Sequence, residues 1–234
     1  VFVPASGRQL ANLRATLGAT ITQSPIIAEN GTIVVQGDDE IHRETITRSD
    51  AVTVVHTTRA LCEQGLDVGP VIATRDRAYV DRIDERFVRQ CAFYYAALEP
   101  VEDVLDLALD NVLKIAVYAF GDAESECYGP LSAAVPGVQT VVSGVHWVDM
   151  MARTASKGRA LAAVQERLGI NPAQTAVFGD YLNDAELYDY SELSFAMANA
   201  HPGILSRARY IAPANTDDGV LRTIETLLDR LSPR

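Results

Sequence analysis

The sequence predicts a mixed α/β protein: a parallel sheet with helices on both faces, interrupted by an inserted α/β segment. Strand-like and helix-like runs alternate at both ends of the chain, the pattern of βαβ units. The middle instead holds apolar strands paired across short turns, as antiparallel neighbours are. The character changes near residues 49 and 152, so residues 1–48 and 153–234 are expected to form a split core around an inserted domain, residues 49–152. With 234 residues, 48% of them hydrophobic, the chain can bury the core of one large domain or two small ones.

The elements follow in order. Residues 1–5 read as the end of a buried strand, and the chain enters it at Val1 without a Met, which predicts further residues upstream. Ser6-Gly7-Arg8 is a turn, and Leu10, Leu13 and Leu17 recur at helical spacing over residues 9–17. Residues 25–28 form a short apolar strand. Asn30-Gly31 signals a hairpin, residues 32–35 return, and Gly37-Asp38-Asp39 turns again toward a strand at 44–46. Residues 50–64 are expected to be helical, with Val54, Thr58, Leu61 and Cys62 near one face. Residues 68–74 and 78–80 read as strands, and a helix-rich, tyrosine-containing stretch follows. Residues 100–109 look like a helix opened by proline. Residues 112–120 read as a strand, 124–135 as a helix, and 138–142 with 146–150 as a strand pair around Ser143-Gly144.

The remainder is more regular. Ser156 is a good N-cap for a helix over 157–168, with Leu161, Val164 and Leu168 inward and Gly169 as its stop. Residues 175–178 form a buried strand, 179–184 a loop and 185–188 a short helix. Strands follow at 193–197 and 210–212, and a terminal helix at 218–231 carries Leu221, Ile224, Leu228 and Leu231 on one face.

Composition removes several functions. The formal net charge is -11 and no run of Lys and Arg occurs, so neither nucleic acid nor an anionic membrane is an expected partner. Cys62, Cys91 and Cys127 are odd in number, widely spaced and without a Cys-x-x-Cys pair. That argues against a disulfide framework or a zinc site and for a reducing cytoplasm. There is no signal-peptide pattern and no apolar run long enough to cross a bilayer.

Three polar clusters sit where parallel α/β sheets bind ligands, at the carboxyl ends of strands. Ser6-Gly7-Arg8 can offer a hydroxyl and backbone N–H groups to a phosphate, or can simply cap the next helix. Arg8 can face that phosphate or solvate the helix start. In Ser156-Lys157-Gly158 the lysine opposes the helix dipole, a cost that a nearby anion would offset; the alternative is a solvated surface lysine. Gly179-Asp180-Tyr181-Leu182-Asn183-Asp184 places two carboxylates and an amide on one tight loop. Such a loop suits a hard cation such as Mg²⁺, or can serve as an Asp-rich turn with an N-cap.

Taken together, these segments resemble the second, third and fourth motifs of the haloacid dehalogenase superfamily, and above all its Cof-like phosphatases with a large α/β cap. Ala28-Glu29-Asn30-Gly31 and Asp218-Gly219-Val220 also resemble segments of that subgroup. The resemblance implies a Rossmann-like parallel-sheet core with an inserted cap, and a Mg²⁺-dependent phosphomonoester hydrolase acting through an aspartyl-phosphate. It implies that Ser6, Gly7, Arg8, Lys157 and Asn183 bind the phosphate and that Lys157, Asp180 and Asp184 are catalytic. It further implies that Asp180 and Asp184 serve the metal. The family's first motif, Asp-x-Asp-Gly-Thr, supplies the nucleophile and has no counterpart in the 234 residues, so it is expected upstream of Val1. The cap would choose the leaving group, and His146-Trp147, near its return to the core, is a candidate contact as well as a packing pair.

The expected partner is a small phosphorylated metabolite, a sugar phosphate or similar, in a monomer or homodimer. Two other readings remain: a phosphomutase of the same superfamily, and an inactive phosphate- or metal-binding module without a nucleophile. A response-regulator-like receiver fits less well, because of the insertion and the order of the motifs.

Overall fold

A strand buried on both faces must lie inside a sheet covered on both sides. Val68–Ala73 and Lys114–Ala119 are such strands, with all six residues of each buried. They are the centre of the larger of two compact units, Val1–Ala155 and Ser156–Arg234. The computed structural model describes residues 1–21 and 23–231.

The first unit begins with α1 (Leu10–Leu17), β1 (Pro25–Ala28), β2 (Ile33–Gln36) and β3 (Asp39–Arg43). The three strands form an antiparallel sheet in the order β1-β2-β3. Leu10 and Leu13 of α1 pack on Ile26, Ala28, Ile33 and Val35. The expected strand over residues 1–5 is reduced to one parallel bridge, Ala5 to Ile27. Val1 and Phe2 are 93% and 57% exposed, so this segment is not the buried strand its apolar residues suggested. The third strand lies at 39–43 rather than 44–46, because the turn at Gly37 is tight and pairing resumes directly at Gln36 with Asp39.

Next come α2 (Arg48–Glu63), β4 (Val68–Ala73), β5 (Ala78–Val80), α3 (Glu85–Ala92), β6 (Leu98–Pro100), β7 (Lys114–Ala119), α4 (Gly129–Ala134), β8 (Val138–Gly144) and β9 (Trp147–Ala152). Their strands form one sheet in the order β6-β5-β4-β7-β9-β8. Only β5 and β6 pair in parallel. One face packs on α2 and α4 through Val54, Leu61, Ile72, Ile115, Met150 and Leu131. The other carries Val71, Ala116, Tyr118 and Trp147 against Phe87 and Cys91 of α3. Cys62 is exposed rather than inward. The helix expected over 100–109 is absent. Pro100 ends the edge strand β6, where its missing N–H costs nothing, and the Asp103 side chain accepts from Leu105 N to close a 3₁₀ turn, Val104–Asp106.

The second unit holds α5 (Lys157–Leu168), β10 (Ala176–Gly179), β11 (Leu193–Met197), α6 (Pro202–Leu205), β12 (Tyr210–Ala212) and α7 (Gly219–Leu231). Its strands are parallel in the order β10-β11-β12, which bears out the α/β reading. Ser156 accepts from Arg159 N as the N-cap of α5, and Gly169 closes it in the left-handed conformation at φ 65. A 3₁₀ segment, Leu182–Tyr190, replaces the short helix expected at 185–188. On α7, Leu221 and Leu228 are exposed, and the Leu231 side chain lies outside the described residues. Among the described residues no helix is long and apolar enough to cross a membrane.

Because Ile115 is fully buried between β4 and β9, Ile115→Ala should lower stability by about 2–5 kcal/mol. Val145, 67% exposed, should tolerate alanine within about 0.5 kcal/mol. Urea unfolding midpoints of the two variants check this contrast.

Candidate functional site

Gly179 ends β10, and a Cβ there would lie 2.7 Å from Asp184 Cβ, so only glycine lets the following loop fold back this closely. The Asp184 carboxylate is buried, and both its oxygens are engaged. Oδ1 accepts from Lys157 Nζ at 2.6 Å. Oδ2 accepts from Asp180 N at 3.0 Å and Tyr181 N at 3.4 Å. The Lys157 ammonium, placed against the helix dipole at the first residue of α5, thus has the anion that its position requires. Gly158 makes the approach possible, since a Cβ there would sit 2.5 Å from the Glu186 carbonyl oxygen. The second unit therefore brings Lys157, Asp180 and Asp184 together.

Asp180 behaves differently from Asp184. It is exposed, its carbonyl accepts from His201 N at 2.9 Å, and among the described residues its carboxylate has no partner. Asn183 is exposed on the same turn. No group of three or more His, Cys, Asp or Glu able to hold a metal occurs among the described residues. This donor set fits Mg²⁺, which is usually held by one or two carboxylates and completed by water and substrate oxygens, and does not fit an all-protein cage.

In the first unit the Ser6-Gly7-Arg8 turn is fastened by its carbonyls. Ser6 O accepts from Asn30 N at 3.1 Å and Arg8 O from Glu29 N at 3.0 Å. Gly7 O accepts from Lys114 Nζ at 3.2 Å. Ser6 Oγ accepts from Arg8 N at 3.2 Å. Among the described residues nothing accepts from Gly7 N, and the exposed Arg8 guanidinium has no partner. Helix α1 starts only at Leu10, so the turn stands ahead of the helix and does not cap it.

Behind this turn lies a buried ionic cluster that the sequence reading missed. Lys114 Nζ is 2.9 Å from Glu29 Oε2 and 3.3 Å from Asp149 Oδ2, and Asn30 Nδ2 donates to Asp149 Oδ2 at 3.2 Å. Burial pushes the Glu29 carboxyl above the usual carboxylate range, only partly opposed by Lys114. Burial alone would lower the Lys114 pKa, but Asp149 and Glu29 outweigh it and hold it well above the lysine range. Glu29 and Asn30 both sit at positive φ, 48 and 60. Asn tolerates this conformation, whereas for Glu it stores about 1–3 kcal/mol of strain. A signal for the cluster existed: Lys114 opens the otherwise uncharged run Lys-Ile-Ala-Val-Tyr-Ala, and Asp149 interrupts Trp-Val-Asp-Met-Met.

Of the pair His146-Trp147, the histidine is exposed and the tryptophan lies in the core. Trp147 is buried against Tyr94, Tyr95 and Tyr118. His146 Nδ1 lies 2.8 Å from the Gly121 carbonyl oxygen and 3.1 Å from that of Ala119. Burial pushes the Cys91 and Cys127 thiols up to about 12 and about 11, so neither is a ready nucleophile.

Comparison with known proteins places the chain in a family. A family model described as haloacid dehalogenase-like hydrolase matches residues 1–224. The 5-amino-6-(5-phospho-D-ribitylamino)uracil phosphatase YbjI of Escherichia coli K12 is 26% identical, over 99% of this chain and 84% of its own. An HMP-PP phosphatase from Citrobacter koseri is 24% identical, over 89% of this chain and 75% of its own. Among solved structures, a protein of Streptococcus mutans UA159 superposes with a TM-score of 0.83 at 21% identity, covering 97% of this chain and 85% of that one. A sugar phosphatase of HAD subclass IIB gives 0.75 at 18% identity, covering 96% and 84%. At such identities the structural likeness speaks for the fold, while the curated relatives are phosphatases by name. The match over nearly all of its length shows that this chain belongs to the haloacid dehalogenase-like hydrolase family.

Proposed function

We propose that the protein is a Mg²⁺-dependent phosphomonoester hydrolase acting on a small phosphorylated metabolite, a sugar phosphate or similar. The observation that carries this reading is the loop after β10. It holds one buried carboxylate, Asp184, locked to Lys157 at 2.6 Å, and one open carboxylate, Asp180, beside it. A plain Asp-rich turn has no need of a buried lysine. The relatives named above act on different phosphorylated compounds at 24% and 26% identity, which supports the reaction class and leaves the individual substrate open. In this reading residues 1–48 and 153–234 are the catalytic core and 49–152 the cap.

The chemistry is a two-step displacement. An aspartate of the family's first motif, placed by the resemblance before Val1, attacks phosphorus. The carboxylate–phosphorus bond forms as the bond to the substrate oxygen breaks. The motif's second aspartate gives its proton to the departing alkoxide, then removes a proton from the water that hydrolyses the aspartyl-phosphate, releasing inorganic phosphate. Bound Mg²⁺ would supply positive charge against the phosphoryl oxygens. Asp180 would hold it in this assignment, and Asp184 keeps the loop and Lys157 in place. By the same resemblance Ser6 Oγ–H and Gly7 N–H would donate to phosphoryl oxygens with Arg8 as a further contact, and in the second unit Asn183 would be a contact and the Lys157 ammonium would offset the charge that builds up.

Three outcomes are expected for the full-length protein. Phosphate release from a panel of sugar phosphates should stop in EDTA and return with added Mg²⁺. Asp180→Ala should abolish metal-dependent turnover, and full activity after this change would overturn the assignment. Lys157→Met should lower kcat by roughly 100- to 1,000-fold, the scale of losing one preorganised charge-stabilising group, as read by initial rates at saturating substrate.

A further inference from the structure

Of the 20 basic residues in the chain only two are lysines, Lys114 and Lys157. Both are buried, at 4% and 5% exposure, while arginine supplies every other basic side chain. Lys157 belongs to the loop described above. Lys114 belongs to no motif, and it sits at the first residue of β7. Its ammonium has three donors, and three oxygens surround it: Glu29 Oε2 at 2.9 Å, Gly7 O at 3.2 Å and Asp149 Oδ2 at 3.3 Å. Two of these are carboxylates that hold the ammonium in place. The third is a backbone carbonyl, and that contact is the one with a consequence outside the cluster.

A trans peptide is planar, so its C=O and N–H point in opposite directions. Directing the Gly7 carbonyl toward Lys114 therefore directs the Arg8 N–H away from it, and that N–H donates to Ser6 Oγ at 3.2 Å. An Oγ that accepts from Arg8 N keeps its own O–H as a donor. The neighbouring peptide is set in the same way. Asn30 N donates to Ser6 O at 3.1 Å, which turns the Gly7 N–H outward, where no described residue takes it. Asn30 is in turn tied to Asp149 through its side chain at 3.2 Å. Gly7 permits this approach, since a Cβ there would be 2.6 Å from Asn30 Oδ1.

We propose that Lys114, clamped by Glu29 and Asp149, is a positioning residue that aims the Ser6 hydroxyl and the Gly7 N–H at the phosphoryl oxygens. The inference rests on the reading that the Ser6–Arg8 turn receives the phosphate. It assigns a task in catalysis to a residue of the inserted segment that touches no substrate. Arginine is a poor substitute there, because its larger planar fork replaces a compact point charge set between two carboxylates and a carbonyl. The left-handed backbone at Glu29 has the same explanation, because it carries the carboxylate to Lys114 while Glu29 N holds the Arg8 carbonyl.

The test uses the full-length protein, with Lys114→Met/Glu29→Gln/Asp149→Asn as the principal variant. Removing all the charges together leaves no unpaired ion in the interior, so the fold should survive. Asp149→Asn alone is the milder second variant. Melting temperature, kcat/KM for several phosphomonoesters and competitive inhibition by inorganic phosphate are measured for each. The proposal expects a folded triple variant whose kcat/KM falls roughly 100-fold, the scale of a misplaced binding group. The fall should be the same for every leaving group, with a matching rise in the Ki of inorganic phosphate. Asp149→Asn should move both quantities in the same direction by a smaller factor. If either variant melts like the wild type and keeps wild-type kcat/KM and Ki, the proposal is overturned. Loss of turnover with an unchanged Ki overturns it too, since a positioning role acts through phosphate contacts. Wild-type protein that hydrolyses no phosphomonoester overturns the functional reading itself, independently of the variants.

Discussion

An ammonium buried in protein must be met by carboxylates, and this constraint organises both units. Taking such an ion out of water costs several kcal/mol, and leaving it without its partner costs about 3–5 kcal/mol. Both lysines are matched, Lys157 to Asp184 at 2.6 Å and Lys114 to Glu29 and Asp149. Each match dictates nearby backbone. For Lys157, glycine at 158 removes the Cβ that would hold α5 off the loop, and glycine at 179 removes the one that would keep Asp184 from folding back on β10. For Lys114, Glu29 accepts a positive φ that side chains rarely adopt. What reads as a motif in the sequence is, in the structure, the set of small residues needed to bring a lysine to a carboxylate.

The two carboxylates of the 180–184 loop show how burial divides labour between identical groups. Asp184 spends both oxygens on Lys157 and two backbone N–H groups, so its position is fixed from three sides. Asp180 has no partner among the described residues and faces solvent. A rigid carboxylate holds geometry, and an open one is available to a cation. With Mg²⁺ reluctant to shed its water, one open carboxylate beside a fixed one is a better match than a closed cage.

The parts of the fold legible in the sequence were those decided locally. Helix α5 was readable from end to end because Ser156, the apolar spacing and Gly169 act within a few residues of one another. The Gly179–Asp184 loop was readable because its glycine and carboxylates are adjacent. Elements decided at a distance were misread. Residues 100–109 carry a helix-opening proline, yet Pro100 is claimed by pairing with β5. Residues 1–5 are apolar enough for a strand, yet they make one bridge to Ile27. The Lys114 cluster joins residues 29, 114 and 149, and no local pattern connects positions so far apart. Only the intrusion of a charge into a buried strand marked Lys114 and Asp149, while Glu29 lies in the turn after β1.

That contrast bears on how this chain divides its chemistry. The reading of Lys157, Asp180 and Asp184 follows from two short segments, residues 156–158 and 179–184, each legible within itself. Lys114 and Asp149 lie on β7 and β9 of the six-stranded sheet, while Glu29, Asn30 and Gly7 lie in the segment that precedes it. Their bonds make the turn at Ser6 dependent on the register of that sheet. A slip of one residue in β7 would turn Lys114 to the opposite face, removing the donor to Gly7 O. The six-stranded sheet thereby carries a second constraint, and its central strands must keep their register for the Ser6–Arg8 turn to keep its shape.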